Sequence, residues 1–178
     1  MVTALVHAAP VKVASTHPLI TDMATAIGGD RIKIINMYPQ EMDLHRFTPG
    51  SEEVSTAIGS KLVLLCGKGL EARYLDSLRD SFGSRTVLLE LGKDAPDVAT
   101  CPDGTLNDPH WWNNPENMKT AAALLTKELT KLDPAGKKDF EAACDRYCKS
   151  MDALMTKTRV KMARLPEYRR LVVTSHAG

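Results

Sequence analysis

The chain has 178 residues, with 23 lysines and arginines against 22 aspartates and glutamates, a formal net charge of +1. Hydrophobic residues make up 43% and charged residues 25%, with 11 glycines and 10 prolines, which excludes collagen-like, coiled-coil and wholly disordered chains. The near-neutral balance gives no general nucleic-acid footprint, since that needs clustered positive charge, and no apolar run approaches the ~20 residues of a membrane span.

In chain order, the first ten residues, MVTALVHAAP, place Val6 and Ala8 at −3 and −1 of a signal-peptidase site. No basic region precedes them and the apolar stretch is short, so residues 1–9 read either as a signal-peptide remnant or as a frayed N-terminus. Val11 to Ser15 alternates apolar and polar residues and predicts a strand. Pro18 opens a helix that stops at Gly28-Gly29. Arg31 to Met37 is a second strand, Tyr38 to Gly50 a polar loop, and Ser51 caps a short helix through Ile58. Leu62 to Cys66 is a continuous apolar run, the pattern of a strand buried on both faces. Gly67-Lys68-Gly69 breaks it, a helix is expected over Leu70 to Ser81, and Thr86 to Glu90 is the next strand. This alternation of strand and helix predicts an α/β fold with a parallel sheet flanked by helices.

Gly92 to Asn107 is a long loop rich in Asp, Gly and Pro. Asn114-Pro115 starts a helix that runs to about Leu132, and Asp133-Pro134 repeats the start signal. Phe140, Cys144, Tyr147, Met151, Leu154, Thr158, Met162 and Leu165 then recur at spacings of three or four, which predicts one long amphipathic helix ended by Pro166. Arg170 to Thr174 is a last strand, followed by Ser175-His176-Ala177-Gly178.

Cysteines at 66, 101, 144 and 148 form no CxxC pair, so zinc-ribbon and thioredoxin readings lack support. Cys144 and Cys148 share one helix face, where packing is a commoner role than chelation. Of five histidines, His45, His110 and His176 each follow a predicted strand. In an open parallel sheet, binding groups gather at the carboxyl ends of strands, and imidazole is a common ligand for zinc and related ions. The spacing alone leaves helix caps, surface residues and loop-holding hydrogen bonds open for each. His17 is read as part of a helix start rather than as a ligand. His7 falls in the suspected leader.

Local context sharpens this. Asp43-Leu44-His45-Arg46-Phe47-Thr48-Pro49, Gly67-Lys68-Gly69-Leu70-Glu71, Asp108-Pro109-His110-Trp111-Trp112-Asn113-Asn114-Pro115 and Val172-Val173-Thr174-Ser175-His176 occur in this order. Together they make the chain, from Val11 onward, resemble the metal-binding solute-binding proteins of ABC importers for zinc and manganese. Leu44 departs from the family's usual Pro, Lys61 from its usual Asp, and Asn113 from its WxDP pattern; none of these removes a proposed ligand.

The resemblance implies a non-catalytic, periplasmic or surface-anchored receptor with two α/β lobes joined by a long helix. Its cargo is a divalent metal, Zn2+ favoured and Mn2+ second, delivered to an ABC permease in the membrane. His45, His110 and His176 match the family's ligand histidines, and the fourth, acidic ligand has no counterpart before Gly178. Residues 10–132 correspond to the metal-binding lobe, 133–166 to the connecting helix and 167–178 to the start of a second lobe. An uncovered final strand is expected to favour self-association. Glu71 is read as orienting a loop. Two other readings are a three-histidine metal-dependent hydrolase, which lacks a local general-base motif, and an adhesin of the same family with a structural metal.

Overall fold

Alternation of side chains between the two faces of a parallel sheet builds the molecule. In the computed structural model, which describes residues 9–39, 42–96 and 109–171, four parallel strands lie in the order β2-β1-β3-β4. These are β1 (Val11–Ser15), β2 (Ile32–Asn36), β3 (Leu62–Leu65) and β4 (Val87–Glu90). Val13 pairs with Ile34 on one side and Leu62 on the other, which places β1 centrally. Every residue of β3 is fully buried, as its unbroken apolar run predicts. Val13, Leu62 and Leu64 join one core, with Ile20, Met23, Leu125 and Phe140. Ala14, Val63 and Leu65 face a second core, with Phe47, Ala57, Tyr74 and Leu78. The period of two thus sorts one strand into two apolar layers.

Helices cover both faces. On the first lie α1 (Pro18–Gly28), α4 (Pro115–Leu132) and the start of α5 (Lys137–Ala163); on the second lie α2 (Ser51–Ala57) and α3 (Leu75–Phe82). Proline opens α1 and α4, and the Asn114 side chain accepts from the Glu116 N–H at the head of α4, as the start signals predict.

Three local readings are corrected. Ser51 is the first helical residue of α2 and not its cap: Gly50 holds that position, and its N–H donates to Glu53 Oε2 at 2.8 Å. The helix expected from Leu70 begins only at Leu75, because Gly67, Lys68 and Gly69 all adopt positive φ (80°, 53° and 82°) and turns continue through 74. Asp133-Pro134 opens a 3-10 turn, Pro134–Gly136, before α5 starts at Lys137.

α5 runs 27 residues, roughly 40 Å at 1.5 Å per residue. Its first half packs through Phe140 and Ala143, with Cys144, Tyr147 and Met151 partly covered. Lys119 on α4 ties to its Asp152 at 2.7 Å. From residue 156 to 171 every side chain is exposed, so the predicted apolar stripe is buried for only half its length. The last strand expected at Arg170 to Thr174 lies mostly outside the described residues; Arg170 and Leu171 follow a 3-10 turn, Glu167–Arg169, and are not in a strand. His7, His176, Cys101 and most of the loop expected at Gly92 to Asn107 also lie outside them.

Candidate metal centre

The strand order places a switch point between β1 and β3: the chain leaves β1 toward β2 and returns to build β3 and β4 on the other side. At such a point the carboxyl ends of the strands open a crevice. Glu71 stitches the crevice floor. It is 3% exposed, and its Oε1 accepts from Cys66 N–H (2.7 Å) and Thr16 Oγ1 (3.0 Å), while Oε2 accepts from Gly67 N–H (2.9 Å). Burial pushes its carboxyl above the usual range, and those three donors pull the other way. This is the loop-orienting role its sequence context implied: one carboxylate joins the ends of β1 and β3.

His45 arrives from the loop after β2. Asp43 Oδ1 accepts its N–H at 2.9 Å, and Arg73 donates to its carbonyl at 2.7 Å. His110 arrives after β4, immediately before the 3-10 turn Trp111–Asn113. Trp111 anchors that turn: it is 1% exposed, and its Nε1 donates to the Cys66 carbonyl at 3.1 Å. Asn117 donates to the Trp111 carbonyl at 3.0 Å. Gly92 makes room, since a Cβ there would stand 2.1 Å from Trp111 Nε1 and 2.7 Å from the Cys66 carbonyl.

The two loops meet. His45 Nε2 and His110 Nε2 lie 3.0 Å apart, with ring centroids at 4.9 Å. At this distance one Nε2 carries the hydrogen and the other accepts it. Two nitrogens bound to one tetrahedral zinc at ~2.0–2.1 Å stand about 3.3 Å apart, so the pair needs little movement to share an ion. His45 is exposed and His110 half-buried. A groove of about 400 Å³ opens beside His45, lined also by Lys68, Arg73 and Pro109. Among the described residues, no set of three or more His, Cys, Asp and Glu side chains is placed to hold a metal.

His17 caps α1 as its sequence context implied, with Nδ1 accepting the Leu19 N–H at 3.2 Å. Burial, and then the charge of His110, lower its pKa to about 4. Trp112 lies between the two histidines, its ring centroid 4.6 Å from His17 and 5.1 Å from His110. No sequence pattern predicts this contact. Cys66 is buried, which pushes its thiol up. Cys144 and Cys148 are free and half-buried, and burial, then Cys144, raise the Cys148 thiol to about 11.

A parallel sheet with paired imidazoles over its switch point is the architecture of an α/β ligand-binding lobe. The chain belongs to the ZnuA family, zinc-uptake complex component A, periplasmic, whose model matches residues 13–178. The manganese ABC transporter substrate-binding lipoprotein PsaA of Streptococcus anginosus is 26% identical over 171 residues, covering 92% of this chain and 55% of that relative. The iron ABC transporter substrate-binding lipoprotein MtsA of Streptococcus pyogenes serotype M1 is 25% identical over 171 residues, with the same coverage of 92% and 55%. The chain therefore spans about 55% of the length of these relatives. Among solved structures, a zinc-bound ZnuA mutant lacking 138–173 superimposes with a TM-score of 0.83 at 22% identity, covering 88% of this chain and 60% of that one. The Mn-bound periplasmic metal binding protein of Candidatus Liberibacter asiaticus gives 0.82 at 21% identity, covering 92% and 61%. These likenesses establish a shared fold.

Proposed function

We propose that this chain is the metal-capturing part of an exported, non-catalytic solute-binding protein that takes up a divalent transition metal for an ABC permease. The observation that carries the reading is the 3.0 Å approach of His45 Nε2 and His110 Nε2 over the switch point. Zinc is the favoured cargo and manganese the second. Imidazole nitrogen suits zinc better than the harder manganese ion, while relatives are named for manganese and for iron. His176 is proposed as the third ligand, α5 as the helix joining two lobes, and residues 167–178 as the beginning of the second.

Capture proceeds by exchange. The ring that carries its hydrogen on Nε2 shifts it to Nδ1, so both imidazoles stay neutral and both Nε2 lone pairs turn to the ion. Only the neutral ring ligates, so protonation competes with the metal and affinity falls as pH is lowered. The relatives' naming as substrate-binding lipoproteins supports a carrier over a hydrolase.

Calorimetric titration of the full chain with Zn2+ and with Mn2+ tests the proposal. One site is expected, tighter for zinc, and weakened at least about tenfold by His45→Ala or His110→Ala. Unchanged zinc affinity in both variants would refute the assignment.

A further inference from the structure

His17 is only 1% exposed, and its Nε2 is buried with no hydrogen-bond partner among the described residues. Its other nitrogen is committed, because Nδ1 accepts the Leu19 N–H at the head of α1. A neutral ring that accepts at Nδ1 carries its hydrogen on Nε2. The orphan is therefore an N–H group, and neither nitrogen has a lone pair free to ligate a metal. Capping does not account for the choice of residue. Asn, Asp or Ser would accept the same N–H without burying an unsatisfied donor. Histidine alone combines an acceptor at that position with an aromatic face.

That face is in use. His17 packs on Trp112 at 4.6 Å and 56°, Trp112 on His110 at 5.1 Å and 63°, and His110 on His45 at 4.9 Å and 60°. Four rings form a continuous column from the buried head of α1 to the exposed imidazole of His45. Its base is rigid, since His17 sits between the end of β1 and the first turn of α1.

We propose that His17 is a positioning residue of the metal centre, whose ring is the platform that sets Trp112 and, through it, the His110 imidazole. The proposal rests on the reading of His45 and His110 as metal ligands. The unsatisfied Nε2–H is then the cost of placing an aromatic ring where a helix also needs a cap.

Two substitutions separate the roles. His17→Asn keeps the cap and removes the ring; His17→Phe keeps the ring and removes the cap. Zn2+ titration and thermal unfolding are measured on the full chain for each. The Asn variant is expected to melt close to the native chain but bind zinc about 10–100-fold more weakly. The Phe variant is expected to melt lower yet bind within about threefold of the native chain, below the loss typical of a missing supporting residue. Native affinity in the Asn variant overturns the proposal, leaving His17 as a cap alone. Equal losses in both variants also overturn it, since keeping the ring would then not preserve the metal centre. Trp112→Leu breaks the column one contact further out with the cap untouched; it repeats the test if the Asn variant does not fold, and native affinity there overturns the proposal equally. Failure of the native chain to bind zinc is a different result: it removes the metal reading itself and this proposal with it.

Discussion

Glu71→Ala tests whether one buried carboxylate holds the switch point together. The side chain is 3% exposed and receives Cys66 N–H, Gly67 N–H and the Thr16 hydroxyl. Removing it strands two buried backbone donors, each worth about 1–3 kcal/mol when unsatisfied. The Thr16 hydroxyl falls back on the Leu64 carbonyl, which it already approaches at 3.4 Å, so its loss is small. Relief from burying a charge offsets part of the penalty. The net expectation is a destabilisation of about 2–4 kcal/mol, a large share of a typical domain's 5–15 kcal/mol. Glu71→Gln keeps one acceptor oxygen but turns an NH2 toward a backbone donor, and should fall between Ala and native. Urea unfolding followed by circular dichroism gives both values, provided the slope with denaturant is unchanged. A loss under about 1 kcal/mol for Ala would mean that the β1 and β3 ends hold their geometry without the carboxylate, and the account of Glu71 would be wrong.

Gly92→Ala should be destabilised by about 1–3 kcal/mol, because its Cβ would stand 2.1 Å from Trp111 Nε1; a near-ultraviolet circular dichroism spectrum should show the tryptophan environment altered, and an unchanged spectrum with native stability would contradict it. Phe140 is fully buried where α5 meets the main core, so Phe140→Ala should cost about 3–5 kcal/mol, measured by chemical unfolding. Burial lowers the His17 pKa to about 4, against ~6.5 in an unfolded chain. Between these values the unfolded chain binds a proton that the folded chain refuses, so stability drops as pH falls from about 6.5 to 4, by at most about 3 kcal/mol. The unfolding free energy of the native chain should fall relative to that of His17→Asn on acidification across that range; parallel curves would show that His17 does not supply the dependence.

What could be read in advance divides along physical lines. Local chemistry was legible: Pro18 and Asn114-Pro115 open α1 and α4, and the unbroken apolar run of β3 is buried on both faces. Where a side chain is recruited by a distant partner, local pattern misleads. Residues 70–74 carry a helical composition, but the run of positive φ at 67–69 and the hold of Glu71 on Thr16, 55 positions away, keep them in turns. The histidine pair depends on still longer range. Its members follow β2 and β4, which are opposite edge strands, so no spacing rule brings them together. Motif context named the two residues, and only strand order and the fixed loops place their Nε2 atoms 3.0 Å apart. The contact of His17 with Trp112 had no sequence signal, since a capping residue and a tryptophan 95 positions later share no pattern.

α5 shows the limit of periodicity in another form. Its apolar positions keep one spacing from Phe140 to Met162, yet Phe140 is fully buried while Leu154 and Met162 are 48% and 39% exposed. Helical spacing depends only on the chain's own 3.6-residue turn, so it names the face that prefers cover. Burial also needs a neighbour at the right height along the axis. α1 and α4 supply one beside Phe140, Ala143 and Tyr147, and the contact ends near Met155. Beyond that point the helix is held by its own hydrogen bonds and by side-chain propensity, which stabilise an isolated helix only marginally. Amide hydrogen exchange should therefore be slow through residues 137–151 and fast through 156–163. Uniform protection along the whole helix would show that the second half of the stripe is covered in solution.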